Sequence, residues 1–337
     1  LYYPILMVIL VAAGLIFSWK TRLIQLRMFA ESIRVVMEKP TKDGNVSSFQ
    51  ALMVSTASRV GTGNIIGVST AICLGGPGSV FWMWIIAIIG GATAFIESTL
   101  AQVYKRRNAL GHSYGGPAYY IQHGLHKRWL GMVMAFLLLV TFGFAFNGLQ
   151  AHAVTHSLNN AFGLDTTYTG LALAVLLGLV FIGGIKRIAS IADLLVPVKT
   201  LVYIAVTLYV IVLQFDHVPA MLATIVKSAF GLDQAFGGLV GSAIIMGVKR
   251  GVFANEAGLG SAPNVAAVAS VEHPIAQGVV QAFSVFLDTF IICTCTALLI
   301  LLSGFYTPGF EGDGIALTQN SLAAVVGDWG RIDRKSV

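Results

Sequence analysis

Apolar residues run along this chain in blocks of bilayer-crossing length, separated by short polar stretches. A membrane-spanning helix needs about 20 predominantly apolar residues. Measured against that length, the blocks are 1–19, 49–72, 78–104, 129–157, 167–185, 191–213, 236–265 and 275–303. Between the first two lies KTRLIQLRMFAESIRVVMEK, whose apolar residues recur at helical spacing among bases. That pattern predicts an amphipathic helix on the membrane surface, within a cytoplasmic segment 20–48. The later stretch GHSYGGPAYYIQHGLHKRW is rich in Gly, His and Tyr and is expected to be a reentrant or interfacial piece on the same side. Its histidines His112, His123 and His126 lack ligand spacing and read as surface residues.

Two blocks carry polar and glycine residues at their middles. The first reads Ala57-Ser-Arg-Val-Gly-Thr-Gly-Asn64; the second reads Ala254-Asn-Glu-Ala-Gly-Leu-Gly-Ser261. Both have a small-polar-charged-x-Gly-x-Gly-polar order, and counting spans sets them in opposite directions across the membrane. A glycine pair weakens a helix, and broken backbone at membrane depth is tolerated where it lines a cavity or is buried in protein. Paired, oppositely oriented interruptions point to a midplane binding site in an inverted-repeat transporter.

Composition sharpens this picture. Charged residues make up 11% of the 337 residues and hydrophobic ones 56%, with a mean hydropathy of +0.80. Soluble domains carry about 25% charged residues, so the chain is read as a polytopic membrane protein. The net charge of +6 does not signal nucleic acid, because the bases sit in loops between apolar runs. With residues 20–48 in the cytoplasm, that side holds Lys20, Arg22, Arg27, Arg34, Lys39, Lys42, Lys105, Arg106, Arg107, Lys127, Arg128, Lys186 and Arg187. External loops before residue 304 hold Lys227. This bias places the N-terminus outside.

Other chemistry is thin. Cys73, Cys293 and Cys295 lie in apolar segments without zinc spacing, and read as buried thiols. No HExxH, GxxxxGK[ST] or GxSxG pattern occurs, and Ile66 stands where GxGxxG needs its third glycine. No Ser/His, di-acid or His-metal grouping recurs within the spans, so the chain is not expected to be an enzyme. An ion channel also uses broken helices, but would want repeated pore-lining rings. The start, LYYPILMVILVAAGLIFSWK, has no basic n-region or cleavage site and reads as a retained span.

The segments GTGNIIGV, GGPGSVFWMW (Gly75 to Trp84), GGPAYYI (Gly115 to Ile121), FNGLQ (Phe146 to Gln150) and GVKRGVFANEAGLGSAP (Gly247 to Pro263) together resemble the alanine or glycine:cation symporters. The resemblance covers nearly the whole chain, with Ser79 a departure where the family more often has alanine. It implies an all-α five-plus-five inverted-repeat transporter with broken first and sixth core helices. Residues 1–19 are then an extra helix, 49–213 the first repeat, 236–303 the first two helices of the second repeat, and 304–337 an external segment. The chain would stop after the seventh core helix, without the eighth, on which the resemblance places hydroxyl ligands for sodium. Residues 1–337 alone are therefore expected to insert but to show no sodium-dependent uptake.

The implied function is symport of sodium (or protons) with a small neutral amino acid, alanine or glycine, by alternating access. A channel, or a membrane scaffold fragment without transport activity, remains the alternative. No cofactor is expected beyond sodium as coupling ion. The setting would be the cytoplasmic membrane of a bacterium or archaeon, with a monomeric, lipid-embedded protein. The substrate carboxylate is assigned to the N–H groups of Thr62, Gly63 and Asn64, after the first break. Sodium is assigned to the backbone carbonyls of Ala57 and Val60 with Asn64. Gln150 and Asn147, three residues apart on one helix face, are expected to orient the substrate; Phe253, Asn255 and Gly258 would line its other side. Arg59, Lys249 and Glu256 are candidates for a structural ion pair between the broken helices. Phe142, Phe144 and Phe146 read as packing, and Glu97, Lys199 and Asp288 as network or helix-end residues.

Overall fold

Helix after helix follows from the apolar blocks. The computed structural model describes residues 2–38, 46–109, 111–232, 240–307 and 314–326. Helix α1 (Tyr2–Lys20) leads into the short α2 (Ile24–Arg27) and the amphipathic α3 (Phe29–Met37). The expected surface bases Lys39 and Lys42, residues 236–239 of the expected seventh apolar block and residues 327–337 lie outside the described residues. Helix α4 (Ser48–Arg59) starts on a capping box: the Ser47 hydroxyl accepts from the Gln50 N–H, and the Gln50 side chain accepts from the Ser47 N–H. It stops at Val60, and α5 (Thr62–Gly75) begins after Gly61.

Helix α6 (Gly78–Val103) is followed by a small hairpin, β1 (Arg106–Arg107) with β2 (Ser113–Tyr114), and by α7 (Pro117–Gly124). The Gly-, His- and Tyr-rich stretch thus contributes one strand of a short antiparallel ladder, a small addition among otherwise helical elements. Helices α8 (Arg128–Val140) and α9 (Asn147–Phe162) are joined through a π-helical stretch, Thr141–Phe146. Helices α10 (Thr166–Phe181) and α11 (Gly184–Leu213) come next. Then α12 (Val218–Ala229) forms within residues read from the pattern as an external loop. Helix α13 (Val240–Asn255) is separated from α14 (Ser261–Val268) by a turn. Helices α15 (Pro274–Phe286) and α16 (Thr294–Leu302) run on through a second π-helical stretch, Leu287–Cys293, and α17 (Gly314–Val326) follows.

Among the described residues four helical runs are long and apolar enough to cross a membrane: Gly78–Val103, Arg128–Phe162, Leu194–Leu213 and Pro274–Leu302. The first and last are more than half buried, whereas Arg128–Phe162 is apolar with hardly a buried position. The chain thus divides into an inner set around α6 and α15 and an outer set presenting Phe136, Leu139, Leu171 and Leu201. An apolar exterior of that kind suits lipid rather than water. The inner core joins Val68 and Ile72 of α5, Val80 and Met83 of α6, Ala254 of α13 and Cys293.

Small residues let the inner helices approach. In α13, Gly247 and Gly251 are one GxxxG step apart and both face α6. A Cβ on Gly247 would lie 2.5 Å from the Ser79 carbonyl oxygen, and one on Gly251 3.2 Å from Ile86. Ser79, the family departure, donates its hydroxyl to the Ala71 carbonyl at 3.0 Å and so ties α6 to α5. Helix α3 is held by Phe29, whose ring meets Phe283 and Phe286 edge-on at 5.3 and 5.0 Å. The buried face of the amphipathic helix thus rests on α15.

Candidate functional site

The first break is built by two residues. Val60 leaves helical geometry at φ −77°, ψ 85°, and Gly61 adopts φ −153°, ψ −140°. The chain then re-enters a helix at Thr62, at the positive end of the helix dipole; the expected carboxylate donor Asn64 N–H is already given to the Gly61 carbonyl at 3.2 Å, which leaves the Thr62 and Gly63 N–H groups at the helix end. Here the Gln150 side chain arrives from α9, and its amide oxygen accepts the Thr62 N–H at 3.3 Å. Gly61 permits this approach: a Cβ there would lie 2.7 Å from Gln150 Nε2 and 3.0 Å from Oε1. Gly61→Ala is accordingly expected to push the Gln150 amide off the helix end while the fold survives, since a flexible side-chain tip can move. With a substrate carboxylate held beside Gln150, as the resemblance implies, amino acid affinity should fall by about tenfold, the worth of one hydrogen bond to a charged group. Equilibrium binding of labelled alanine to the purified variant checks this, and unchanged affinity would remove Gln150 from the site.

Opposite the break stands a polar seam on one helix face. Gln277, Gln281, Ser284 and Asp288 recur at steps of four, three and four along α15 and its π-helical continuation, and all are fully buried. Each meets the first broken helix. Gln277 donates to the Ser48 hydroxyl at 3.1 Å, Ser284 lies 3.3 Å from the Thr56 hydroxyl, and Gln281 accepts from Arg59 at 3.4 Å. At the end of the seam, Asp288 Oδ1 accepts from the Asn64 side-chain amide. The π-helical stretch adds a residue to the turn and re-aims Asp288, a feature frequent at functional positions. The sequence alone marks Asp288 as a network or helix-end residue. Its place in this seam is the site feature that sequence reasoning missed, although the 277–281–284–288 spacing carried a signal.

The oxygens around Asp288 are under-used. Asn64 Oδ1 and Thr62 Oγ1 are buried without a hydrogen-bond partner, and the buried Asp288 carboxylate meets, besides Asn64, the hydroxyl of its chain neighbour Thr289. Unpaired buried polar atoms are costly, and a charged oxygen more so. A donor set of carboxylate, amide and hydroxyl oxygens suits a hard cation.

The second break is a turn held by its own side chains. Glu256 sits at φ 52°, and Gly258 and Gly260 at 86° and 87°, so three left-handed residues reverse the chain. Asn255 Oδ1 accepts the Ala257 N–H at 3.0 Å, and the Glu97 carboxylate accepts the Gly258 N–H at 3.3 Å. The buried Glu256 carboxylate takes the Ser58 hydroxyl at 2.9 and 3.1 Å and the Ser261 hydroxyl at 2.6 Å. One carboxylate thereby joins α4 to both sides of the second break.

The geometry gathers Thr62, Gly63, Asn64, Gln150 and Phe253. A Cβ on Gly63 would lie 3.4 Å from the Phe253 ring. Phe253 stacks on Phe146 at 5.3 Å, which stacks on Phe142 at 4.7 Å, while Phe144 points outward. Other expected residues lie elsewhere. Asn147 is exposed and donates to the Gly143 carbonyl of its own helical run at 3.2 Å. Asn255 and Gly258 face α6 and α1, Asn255 beside Gly90 and Gly258 beside Leu10 and Thr93, because the turn rotates them away from α5. Arg59 and Glu256 make no direct ion pair among the described residues; Arg59 bonds Gln281 and feels Glu256, Asp288 and Glu97 at longer range. Lys249 lies half-buried on α13. Ala57 sits in the last turn of α4, and the Val60 carbonyl accepts the Lys199 ammonium at 2.8 Å.

An apolar multi-pass bundle with two interrupted inner helices meeting over buried polar groups is the architecture of a membrane transporter. Comparison with known proteins makes the class specific. A profile of the sodium:alanine symporter family matches residues 1–333, and the chain belongs to that family. It is 49% identical to the probable sodium/glutamine symporter GlnT of Bacillus subtilis, covering 98% of this chain and 69% of that one. It is also 49% identical to the amino-acid carrier protein AlsT of the same organism, covering 95% and 68%. Identity to the sodium/alanine symporter AgcS of Methanococcus maripaludis is 37%, over 96% and 73%. The protein is thus a transporter and not an enzyme.

Proposed function

We propose that this protein couples inward movement of sodium to uptake of a small neutral amino acid, alanine or glycine, by alternating access. The observation that carries the reading is the Gln150 amide oxygen seated on the Thr62 N–H, two residues before the Asn64–Asp288 pair. That oxygen occupies the position a substrate carboxylate oxygen would take at the start of α5. The carboxylate then displaces it and leaves Gln150 to hold the substrate from the other side. Close packing of Gly63, where a Cβ would lie 3.2 Å from Ala254 Cα and 3.4 Å from the Phe253 ring, favours a substrate with a short side chain. The cation sits among Asn64 Oδ1, Asp288 Oδ2 and the backbone of the α4 end, where it balances the carboxylate. A membrane potential adds about 2.3 kcal/mol per charge per 100 mV to the driving force. The N-terminus lies outside a bacterial or archaeal cytoplasmic membrane in this reading.

Labelled alanine uptake, in vesicles from cells expressing the intact gene, tests it with sodium and pH gradients imposed separately. Accumulation above equilibrium driven by sodium alone is expected; a channel would give equilibration without accumulation, and uptake following the pH gradient would replace sodium by protons. Glycine, alanine and serine should compete with the label, while leucine and phenylalanine should not. Strong competition by glutamine would move the side-chain preference toward that named for the Bacillus subtilis relative GlnT.

A further inference from the structure

The lysine at the first break is a cation already in place. Lys199 belongs to α11, which packs along α4, and its Nζ lies 2.8 Å from the Val60 carbonyl oxygen. Val60 is the C-cap of α4, so its carbonyl stands at the negative end of a half-helix dipole. Two residues before Lys199, Pro197 removes one amide hydrogen bond from the middle of α11. An ionisable side chain within a membrane span is costly and marks function by default. The ammonium and a sodium ion ask the same thing of this carbonyl: an oxygen lone pair and negative potential. They cannot share it at contact distance.

We propose that Lys199 is a tethered competitor for the transported cation, occupying the Val60 carbonyl until sodium displaces it. The inference rests on the assignment of that carbonyl to sodium in the proposed function. Displacement has two consequences. It sets the sodium concentration at which the carrier loads, because sodium must exceed the local attraction of a lysine that never leaves. It also breaks the hydrogen bond that ties α11 to the end of α4, so that loading of the ion is read by a second helix. The Asn64–Asp288 oxygens lie one turn further on and stay available to the ion throughout.

The test is sodium titration of labelled alanine binding to protein purified from the intact gene. Lys199→Met removes the competing charge and keeps most of the side-chain volume. The half-saturating sodium concentration is expected to fall by about tenfold, as removal of a charged hydrogen-bond competitor implies. Lys199→Arg keeps a cation and should stay nearer to wild type than Lys199→Met. A second measurement needs no variant: amine-reactive labelling of Lys199, read by mass spectrometry against Lys227 as reference, should speed up in sodium relative to choline. An unchanged or raised sodium requirement in Lys199→Met overturns the proposal. If that variant does not fold, labelling of Lys199 that ignores sodium overturns it equally. Failure of the underlying reading looks different, since wild-type alanine binding would then be indifferent to sodium. In that event a Lys199→Met protein that gains sodium dependence still supports the competitor role, and one that stays indifferent rejects it.

Discussion

Asp288→Ala is expected to abolish sodium-dependent alanine binding while the protein still inserts and purifies. The substitution takes away the buried carboxylate and leaves the Asn64 amide unmatched at the end of the seam. Removing one member of a buried charged contact costs about 3 kcal/mol or more, so affinity in sodium should drop at least about a hundredfold. Asp288→Asn separates charge from shape, because it preserves size and hydrogen bonding to Asn64 but offers the cation no charge. Sodium titration of alanine binding is the measurement. Wild-type sodium dependence in Asp288→Asn would show that the carboxylate is not a cation ligand, and would return the ion to the backbone carbonyls alone.

Glu256→Ala should act on stability before it acts on transport. This carboxylate receives hydroxyls from Ser58 and Ser261 and so fastens α4 to the turn between α13 and α14. Its loss strands those hydroxyls and leaves Arg59 without this neighbouring carboxyl group. Together these should lower stability by about 3 kcal/mol. The thermal midpoint in detergent reads the effect. Glu256→Gly serves as the comparison, because it deletes the same carboxylate but suits the left-handed backbone at φ 52°. It should therefore melt slightly above Glu256→Ala. A wild-type midpoint in both variants would mean that the broken helices are joined by other contacts.

Much of the architecture could be read along the chain, and the reason is local. A run of apolar residues has no favourable place except a lipid-facing or buried helix, so 78–104 and 275–303 appear as Gly78–Val103 and Pro274–Leu302 with little adjustment. The interruptions were equally legible, since glycine at 61 and at 258 and 260 admits backbone angles that a helix excludes. Helix α12 escaped the pattern because it is short, and its packing against α6 depends on the bare backbone of Gly78. The π-helical stretches escaped for a related reason: no local propensity marks where a helix takes an extra residue.

What the sequence determined by itself is the set of helices, the two places where inner helices break, and the residue types available there. Which side chain meets which break was decided by the tertiary structure. Gln150 reaches Thr62, Asp288 reaches Asn64 and Lys199 reaches Val60, although the sequence separates these pairs widely. Asn255 and Gly258, expected from the sequence to line the substrate, face α6 and α1 instead. A helix presents a different face with every residue of rotation, at 3.6 residues per turn. That rotation is set by the packing of glycine faces such as Gly247 and Gly251 on α6, a contact between elements that no single stretch of chain encodes.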